Sequence, residues 1–177
     1  MKGHALPNLS TPRLDLRRRR EADLLALIEM ESDPEVMRFV GGTRPGEPET
    51  LRRELLERSH RDFGPGLGYW SVFPKGEPDL CMGWVCLLPM PGYRDVEIGY
   101  RFKRAFWGRG YAGEACQACL DYAFGELGLR EVVAVAHPEN KRSHRVLAKL
   151  GFAAAGLRHA YGEMLPFYRR RADRRGS

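Results

Sequence analysis

The sequence predicts a single α/β (α+β) domain on a mixed, mostly antiparallel twisted sheet of about six to seven strands with helices on both faces. One observation is that the spacing of apolar residues switches along the chain between a strand-like and a helix-like period. Another is that three consecutive strand patterns are joined by short loops, which is typical of antiparallel neighbours. The 177 residues contain no linker or repeat, so we expect one domain over 1–177.

The first part of the chain predicts one strand followed by helices. After residues 1–10, expected to be flexible, the alternating stretch RLDLR (13–17) indicates a strand. Residues 21–32 follow a helical period, and a short second helix begins after Asp33, whose side chain can cap it. The loop GGTRPGEPET separates this helix from a third one over 49–63.

The middle of the chain predicts a meander of three strands. They are YWSVF (69–73), LCMGWVCLLP (80–89) and VEIGYRF (96–102). Gly83, inside the second of them, suggests a β-bulge.

The last part of the chain alternates helices with strands. A loop leads into a helix over 111–127, which is followed by a strand over 132–136 and a helix over 139–150 that Gly151 terminates. FAAAGL (152–157) and GEMLPFYRRR (162–171) predict the final strands, and residues 170–177 read as a basic tail.

Cysteine usage and hydropathy argue against a secreted or membrane protein. No apolar run reaches the roughly 20 residues of a membrane span, and the N-terminus lacks an apolar signal region. We therefore expect a cytoplasmic protein with no membrane partner. Cys116 and Cys119 form a C-x-x-C pair that admits a redox or zinc interpretation, but both lie on the apolar stripe of the 111–127 helix. This placement favours buried core thiols and no metal site.

The charge balance is basic, at +6. The excess arginines form two clusters, Arg17–Arg20 and 169–175, which suggest either an anionic partner such as RNA or a solvated surface with a basic tail. Neither cluster contains the interleaved aromatic residues of an RNA-binding surface, so nucleic acid is the less favoured partner.

The stretch GRGYAG (108–113) matches the G-x-G-x-x-G pattern of a dinucleotide-binding turn. The surrounding residues do not fit that fold, because Glu131, at the spacing of the required acid, begins the next strand instead of ending it. The glycines before a long helix still predict an anion site, since the helix begins with unpaired N–H groups and the positive end of its dipole.

The residues around this loop resemble a known family. EIGYRFKRAFWGRGYAGEAC, followed by HPENKRSHRVLAKLGF, is similar to the acetyl-CoA motif of the GNAT superfamily of N-acetyltransferases. TPRLDLR and DPEVMRFVGG resemble the RimJ/RimL-type branch, which acetylates the N-termini of ribosomal proteins. The resemblance extends from about Thr11 to Tyr168.

The resemblance implies that acetyl-CoA is the co-substrate and that no metal is needed. It implies that backbone N–H groups of the loop hold the pyrophosphate, although Ala105 replaces the usual Gln or Arg at the first motif position. It also implies a splay between strands 96–102 and 132–136 that admits the pantetheine arm. The implied cofactor-binding residues are Phe102, Trp107, Gly108, Arg109, Gly110, Tyr111, Ala112 and Asn140.

Two residues are candidates for the chemistry. An amine must lose a proton before it can attack a thioester, and Glu97, on the strand before the loop, matches the family's recurrent general base. The alternative is a strand carboxylate satisfied by neighbours. The family's tyrosine acid is replaced by Leu147, and Ser143 matches the serine that the RimL-like branch uses to protonate the leaving thiolate. Ser143 could instead cap its helix.

The expected function is therefore N-acetyl transfer to a primary amine, on a small molecule or a protein N-terminus, through a ternary complex. A non-enzymatic RNA-binding module and an inactive acyl-CoA-binding protein are the alternatives. Phe39 and Trp70 either line the acceptor pocket or fill the core. A homodimer is compatible with the sequence.

Overall fold

The computed structural model describes residues 6–40 and 48–173. Within these ranges the chain forms eight strands and five α-helices. The strands are Leu9–Ser10 (β1), Leu14–Arg18 (β2), Gly68–Pro74 (β3), Gly83–Pro89 (β4), Val96–Phe102 (β5), Glu131–Val135 (β6), Ala153–Ala160 (β7) and Glu163–Arg171 (β8). The helices are Leu24–Glu31 (α1), Pro34–Met37 (α2), Pro48–His60 (α3), Tyr111–Gly125 (α4) and Lys141–Lys149 (α5).

All eight strands belong to one sheet, in the order β1-β2-β3-β4-β5-β6-β8-β7. β5 and β6 run parallel, and every other neighbouring pair is antiparallel. The predicted fold class is therefore confirmed.

Both chain ends are more ordered than the sequence suggested. Leu9 and Ser10, expected to be flexible, pair with β2 and add the eighth strand. Arg170 and Arg171, which fall in both the predicted final strand and the predicted basic tail, belong to β8 and pair with β6. The rest of the predicted tail from residue 174, residues 1–5 and most of the loop at 41–47 lie outside the described residues.

The larger core lies between one face of the sheet and α4. Along α4, small residues on one stripe are fully buried, and they let the helix approach β4 and β5 closely. Cys116 and Cys119 are on this stripe as free thiols, as the sequence predicted. Trp70 projects into the same core with no exposed surface, and its indole N–H donates to the Pro7 carbonyl at 2.7 Å.

The opposite face of the sheet is covered by α1 and α3. Leu27 and Leu55 are fully buried there against Phe73, Trp84 and Cys86. No helix of the described residues is long and apolar enough to cross a membrane.

Gly83 does not form the predicted β-bulge. It pairs in register with both neighbours, Val72 on β3 and Phe102 on β5. A Cβ atom at this position would lie 2.1 Å from the Arg101 carbonyl oxygen. The glycine is required because β4 and β5 approach closely here.

Only half of the Arg17–Arg20 cluster is the solvated surface that the sequence favoured, because Arg18 and Arg20 are exposed whereas Arg17 and Arg19 are not. Side chains alternate along a strand, so β2 directs Arg17 and the residue after its end, Arg19, to the face covered by α1 and α3. Arg17 forms a bidentate ion pair with buried Asp23 at 2.8 and 3.0 Å. Arg19 is 4% exposed.

Candidate active site

The loop between β5 and α4 is shaped by two glycines in the left-handed region. Gly108 has φ = 74° and Gly110, the residue that caps α4, has φ = 79°. No side chain of the described residues caps the first N–H groups of α4. The loop therefore presents unpaired backbone donors at the positive end of a four-turn helix, which is the arrangement that binds phosphates.

Arg13 holds this loop from the side of β2. Its Nη1 donates to the Arg109 carbonyl at 3.0 Å, and its guanidinium pairs with Glu114 of α4 at 2.6 Å and lies 4.6 Å from the centre of the Tyr111 ring. Bonding of the Arg109 carbonyl keeps it turned toward Arg13, while the Arg109 side chain is exposed. These contacts of Arg13 fix the conformation of the loop.

Trp107 connects the loop to the end of β5. Its indole N–H donates to the Phe102 carbonyl at 2.8 Å, and the Arg142 guanidinium of α5 lies 4.0 Å from its ring centre. The Phe102 side chain is 5% exposed and packs in the core. Only the backbone of Phe102 is therefore available to a ligand between β5 and β6.

β5 and β6 separate after a single pair of residues. Glu97 is opposite Val133, and no further pairing follows among the described residues, although β5 runs on to Phe102. On its other edge, β5 pairs with β4 along its whole length. The edge of β5 beyond Glu97 is therefore open to a ligand that pairs as an added strand.

Glu97 lies where this splay begins, on the face covered by α1 and α3. Its side chain is largely buried, and burial raises its pKa to about 7, while a hydrogen bond from Tyr161 counteracts part of the rise. The Tyr161 hydroxyl donates to Glu97 Oε2 at 2.5 Å. A carboxylate with a pKa near 7 is well matched to accept a proton from an amine at neutral pH.

Residues 13–153 match the family model of the acetyltransferase (GNAT) domain. The chain belongs to the GNAT acetyltransferase family. It is 34% identical over 156 residues to the FsC-acetyl coenzyme A-N(2)-transacetylase of Aspergillus fumigatus, a match that covers 83% of this chain and 65% of that protein. It is 30% identical over 172 residues to the uncharacterized protein YkkB of Bacillus subtilis, covering 96% of this chain and 98% of that one.

Solved structures show the same fold. An acetyltransferase from Agrobacterium tumefaciens superposes with a TM-score of 0.77 at 29% identity over 95% of this chain and 96% of its own. RimL, described as a ribosomal L7/L12 α-N-protein acetyltransferase in complex with coenzyme A, superposes with a TM-score of 0.73. Its match covers 93% of this chain and 98% of RimL at 17% identity, which shows the fold alone.

GNAT acetyltransferases use acetyl-CoA, and the residues present fit it. Both left-handed glycines and the unpaired N–H groups suit a pyrophosphate, and a Cβ built on Gly108 would lie more than 4 Å from every described residue except its chain neighbours. The open edge of β5 suits the amides of the pantetheine arm. No group of three or more His, Cys, Asp or Glu residues that could hold a metal occurs among the described residues.

The start of α5 brings the Ser143 hydroxyl close to the hydroxyl of Tyr100 on β5. Asn140 caps the helix by accepting from the Ser143 N–H at 3.2 Å, which is the structural role considered for it. Burial raises the pKa of Tyr100, and the nearby Ser143 side chain lowers it. The Tyr100 hydroxyl nevertheless makes no hydrogen bond of good geometry within the described part of the chain, so the two hydroxyls are close without being aligned.

The two aromatic residues proposed for the acceptor pocket differ in position. Phe39 follows α2 and stacks on His137, just beyond β6, with 5.2 Å between ring centres. It is half-buried and remains a candidate. Trp70 is a fully buried core residue on the α4 side of the sheet, which is the alternative that the sequence left open for it.

Sequence reasoning missed Tyr161. It occupies the two-residue turn between β7 and β8 with φ = 55°, followed by Gly162 with φ = 85°. Such turns favour Asn or Gly at both positions, because a large side chain is strained at positive φ. A tyrosine before glycine between two strand patterns was therefore the available signal that this turn has a function.

We expect Tyr161→Phe to raise the pKa of Glu97 further, since burial remains and the stabilising hydrogen bond is lost. One charge-assisted hydrogen bond corresponds to about one pKa unit. The acid limb of the kcat/KM profile should move up by about that amount, with rates unchanged well above pH 8. Tyr93→Phe, which removes a tyrosine hydroxyl bonded only to the His159 carbonyl, is the control. Profiles that coincide for both variants would contradict the role of Tyr161.

Proposed function

We propose that this protein transfers the acetyl group of acetyl-CoA to a primary amine, which attacks the thioester directly within a ternary complex. The observation that supports it most is the position of Glu97, a buried carboxylate with a pKa of about 7 at the point where β5 and β6 separate. Acetyl-CoA, when bound, supplies an acetyl group activated as a thioester.

The protein's own groups divide the remaining work. Glu97 accepts a proton from the incoming ammonium group, directly or through water, because its pKa is matched to neutral pH. The Ser143 hydroxyl, beside Tyr100, can donate a proton on the opposite side of the splay. The fixed loop from Trp107 to Ala112 and the Asn140 carboxamide at the start of α5 orient the co-substrate.

The acceptor is a small-molecule amine or a protein N-terminus. The sequence motifs at Thr11–Arg17 and Asp33–Gly42, which resemble those of the RimJ/RimL-type branch, support placement near that branch. We also propose that the protein is cytoplasmic and forms a homodimer.

We expect acetyl-CoA to stabilise the folded protein through preferential binding to the native state. At a concentration of 100 times Kd, the free energy of unfolding should rise by about 2.7 kcal/mol. For a chain of this size, that corresponds to a rise in Tm on the order of 5–10 °C. Differential scanning fluorimetry measures this rise in Tm. Adenosine, which lacks the pyrophosphate and the pantetheine arm, is the weak-binding control. A flat response at saturating acetyl-CoA contradicts the proposal.

The function itself is tested by thiol release from acetyl-CoA against a panel of amines and peptides. Release that depends on the acceptor supports an acetyltransferase. Stabilisation by acetyl-CoA without release on any acceptor indicates an inactive acyl-CoA-binding protein. Tight RNA binding that weakens steeply with salt, without thiol release, would indicate the RNA-binding alternative.

A further inference from the structure

Arg19 is a buried guanidinium that has no polar partner among the described residues. The residue is 4% exposed, and its Nε, Nη1 and Nη2 atoms make no hydrogen bond. Arginine stays protonated in proteins, so the charge persists although burial lowers its pKa. Unpaired buried charges are strongly destabilising, and the missing partner is an anion.

The other arginines on this face of the sheet are paired. Arg17 binds Asp23 at 2.8 Å, and Arg101 binds Glu31 at 2.8 Å. The fold therefore supplies a hydrogen-bonded carboxylate to these two guanidinium groups, whereas Glu31 acts on Arg19 only through space and leaves its N–H groups without an acceptor among the described residues.

The surroundings of Arg19 hold its guanidinium while leaving its donors free. The group lies 4.1 Å from the centre of the Tyr69 ring and 5.7 Å from that of Trp84. A cation–π contact uses the flat face of the guanidinium, whereas its N–H groups point outward in the plane. A planar fork of free donors matches a carboxylate or a phosphate in bidentate geometry.

Arg19 lines a cavity of about 270 Å³ at the edge of this face. Arg58, His60, Arg61 and Phe63 of α3 and the segment after it also line the cavity, together with Tyr69. Asp62 is the one acidic residue of the lining, so the cavity is strongly basic. Its chemistry suits an anionic group attached to a larger molecule.

Arg19 and Glu97 lie on the same face of the sheet, near the same end of its strands. Arg19 donates its backbone N–H to the Tyr69 carbonyl, Tyr69 is opposite Cys86, and Cys86 is opposite Gly99. Gly99, two residues after Glu97 on β5, faces the Cys86 thiol and the Trp84 ring, which lie 3.1 and 3.7 Å from where its Cβ would be. Tyr69 on β3 is two strands from β5, or about 10 Å.

We propose that Arg19 binds a carboxylate or phosphate group of the acceptor whose amine is acetylated at Glu97. The inference rests on the proposed acetyltransferase function and adds the acceptor class. The separation across the sheet favours acceptors in which several bonds lie between the amine and the acid group. The bidentate contact would fix the far end of the acceptor and so present its amine to Glu97.

The test compares matched acceptors on the full chain. The probes are 6-aminohexanoate, its neutral amide 6-aminohexanamide, and 5-aminopentyl phosphate, with thiol release from acetyl-CoA as the readout. The variants are Arg19→Met, which keeps the length without the charge, and Arg19→Lys, which keeps the charge without the fork. Arg53→Met, at an exposed position of α3 outside the cavity lining, is the control.

We expect the native chain to favour an acid-bearing acceptor over the amide, and the better of the carboxylate and phosphate probes then identifies the acid group. Arg19→Met should raise the KM of that acceptor about 10- to 100-fold and leave the KM of the amide and the affinity for acetyl-CoA unchanged. The KM of Arg19→Lys for the same acceptor should lie between the values of the native chain and Arg19→Met. The Tm of Arg19→Met without acceptor should not be below that of the native chain, because the unpaired charge is gone.

Two results would overturn the proposal. One is equal use of charged and neutral acceptors by both the native chain and Arg19→Met. The other is a large fall in the Tm of Arg19→Met, which would make Arg19 a structural residue. Failure of the acetyltransferase function is distinguishable from both results, because none of the acceptors, charged or neutral, would then support thiol release from acetyl-CoA.

Discussion

Glu97→Gln is expected to lower kcat about 10²- to 10⁴-fold, the usual contribution of a general base. Gln is nearly isosteric and can still accept the Tyr161 hydrogen bond, so the site keeps its shape while losing its base. Affinity for acetyl-CoA should be unchanged, because the loop that holds it is fixed by Arg13 and Trp107 and not by Glu97. Rates measured from pH 5.5 to 9 should lose the limb centred near pH 7.

The same substitution has an opposite effect on stability. The folded pKa of Glu97 is about 7, above the unfolded value of about 4.5, so the folded state holds a proton that the unfolded state has lost between these pH values. Native stability therefore falls as pH rises through this window. Glu97→Gln removes the penalty and should be more stable than the native chain at pH 8, by up to about 3 kcal/mol, but not at pH 4.

Glu163→Gln is the matched control, since it neutralises an exposed carboxylate on the adjacent hairpin. It should change neither kcat nor the pH dependence of stability. Full activity of Glu97→Gln, with its pH profile intact, would remove Glu97 from the mechanism.

Glu31→Ala is expected to destabilise the protein by about 3–5 kcal/mol, the cost of leaving a buried ion without its partner. Glu31 ends α1 with its side chain 2% exposed, and it binds Arg101 at 2.8 Å and the Trp84 indole N–H at 3.3 Å. The Arg101 side chain on β5 is only 11% exposed, so its charge would remain with little compensation from solvent. Tm should fall on the order of 10 °C.

Glu35→Ala supplies the comparison, because Glu35 is an exposed residue of α2 with Arg38 at 3.9 Å. Exposed pairs contribute about 1 kcal/mol or less, so this variant should melt within a few degrees of the native chain. Equal melting of the two variants would show that Glu31 does not compensate Arg101.

Local patterns predicted the elements of the fold well. The period of two on β3, β4 and β5, the small-residue stripe of α4 and the glycines at its start each depend on near neighbours in the chain. β1 escaped prediction because two residues carry no periodicity. Gly83 was misread because a glycine inside a strand indicates either a bulge or a close approach, and only the neighbouring backbone of Arg101 distinguishes the two.

The site was predictable only where it follows the motif around the loop. Glu97 and Ser143 could be named as candidates, but the pKa of Glu97 depends on burial and on Tyr161, which is 64 residues away. Arg19 was taken for a surface residue because a run of four arginines looks solvated. Its burial follows from the alternation of β2 and from the helices that cover that face, which the run itself does not show.

The burial of all four cysteines makes the native chain almost inert to thiol reagents. Burial raises the pKa of Cys86 to about 12 and that of Cys116 and Cys119 well above the usual value, so the reactive thiolate form is scarce at neutral pH. A chromogenic thiol reagent would therefore report coenzyme A release over a low background. A single cysteine introduced at an exposed position, such as Leu157, would accept a fluorescent or spin label selectively without prior removal of the native four.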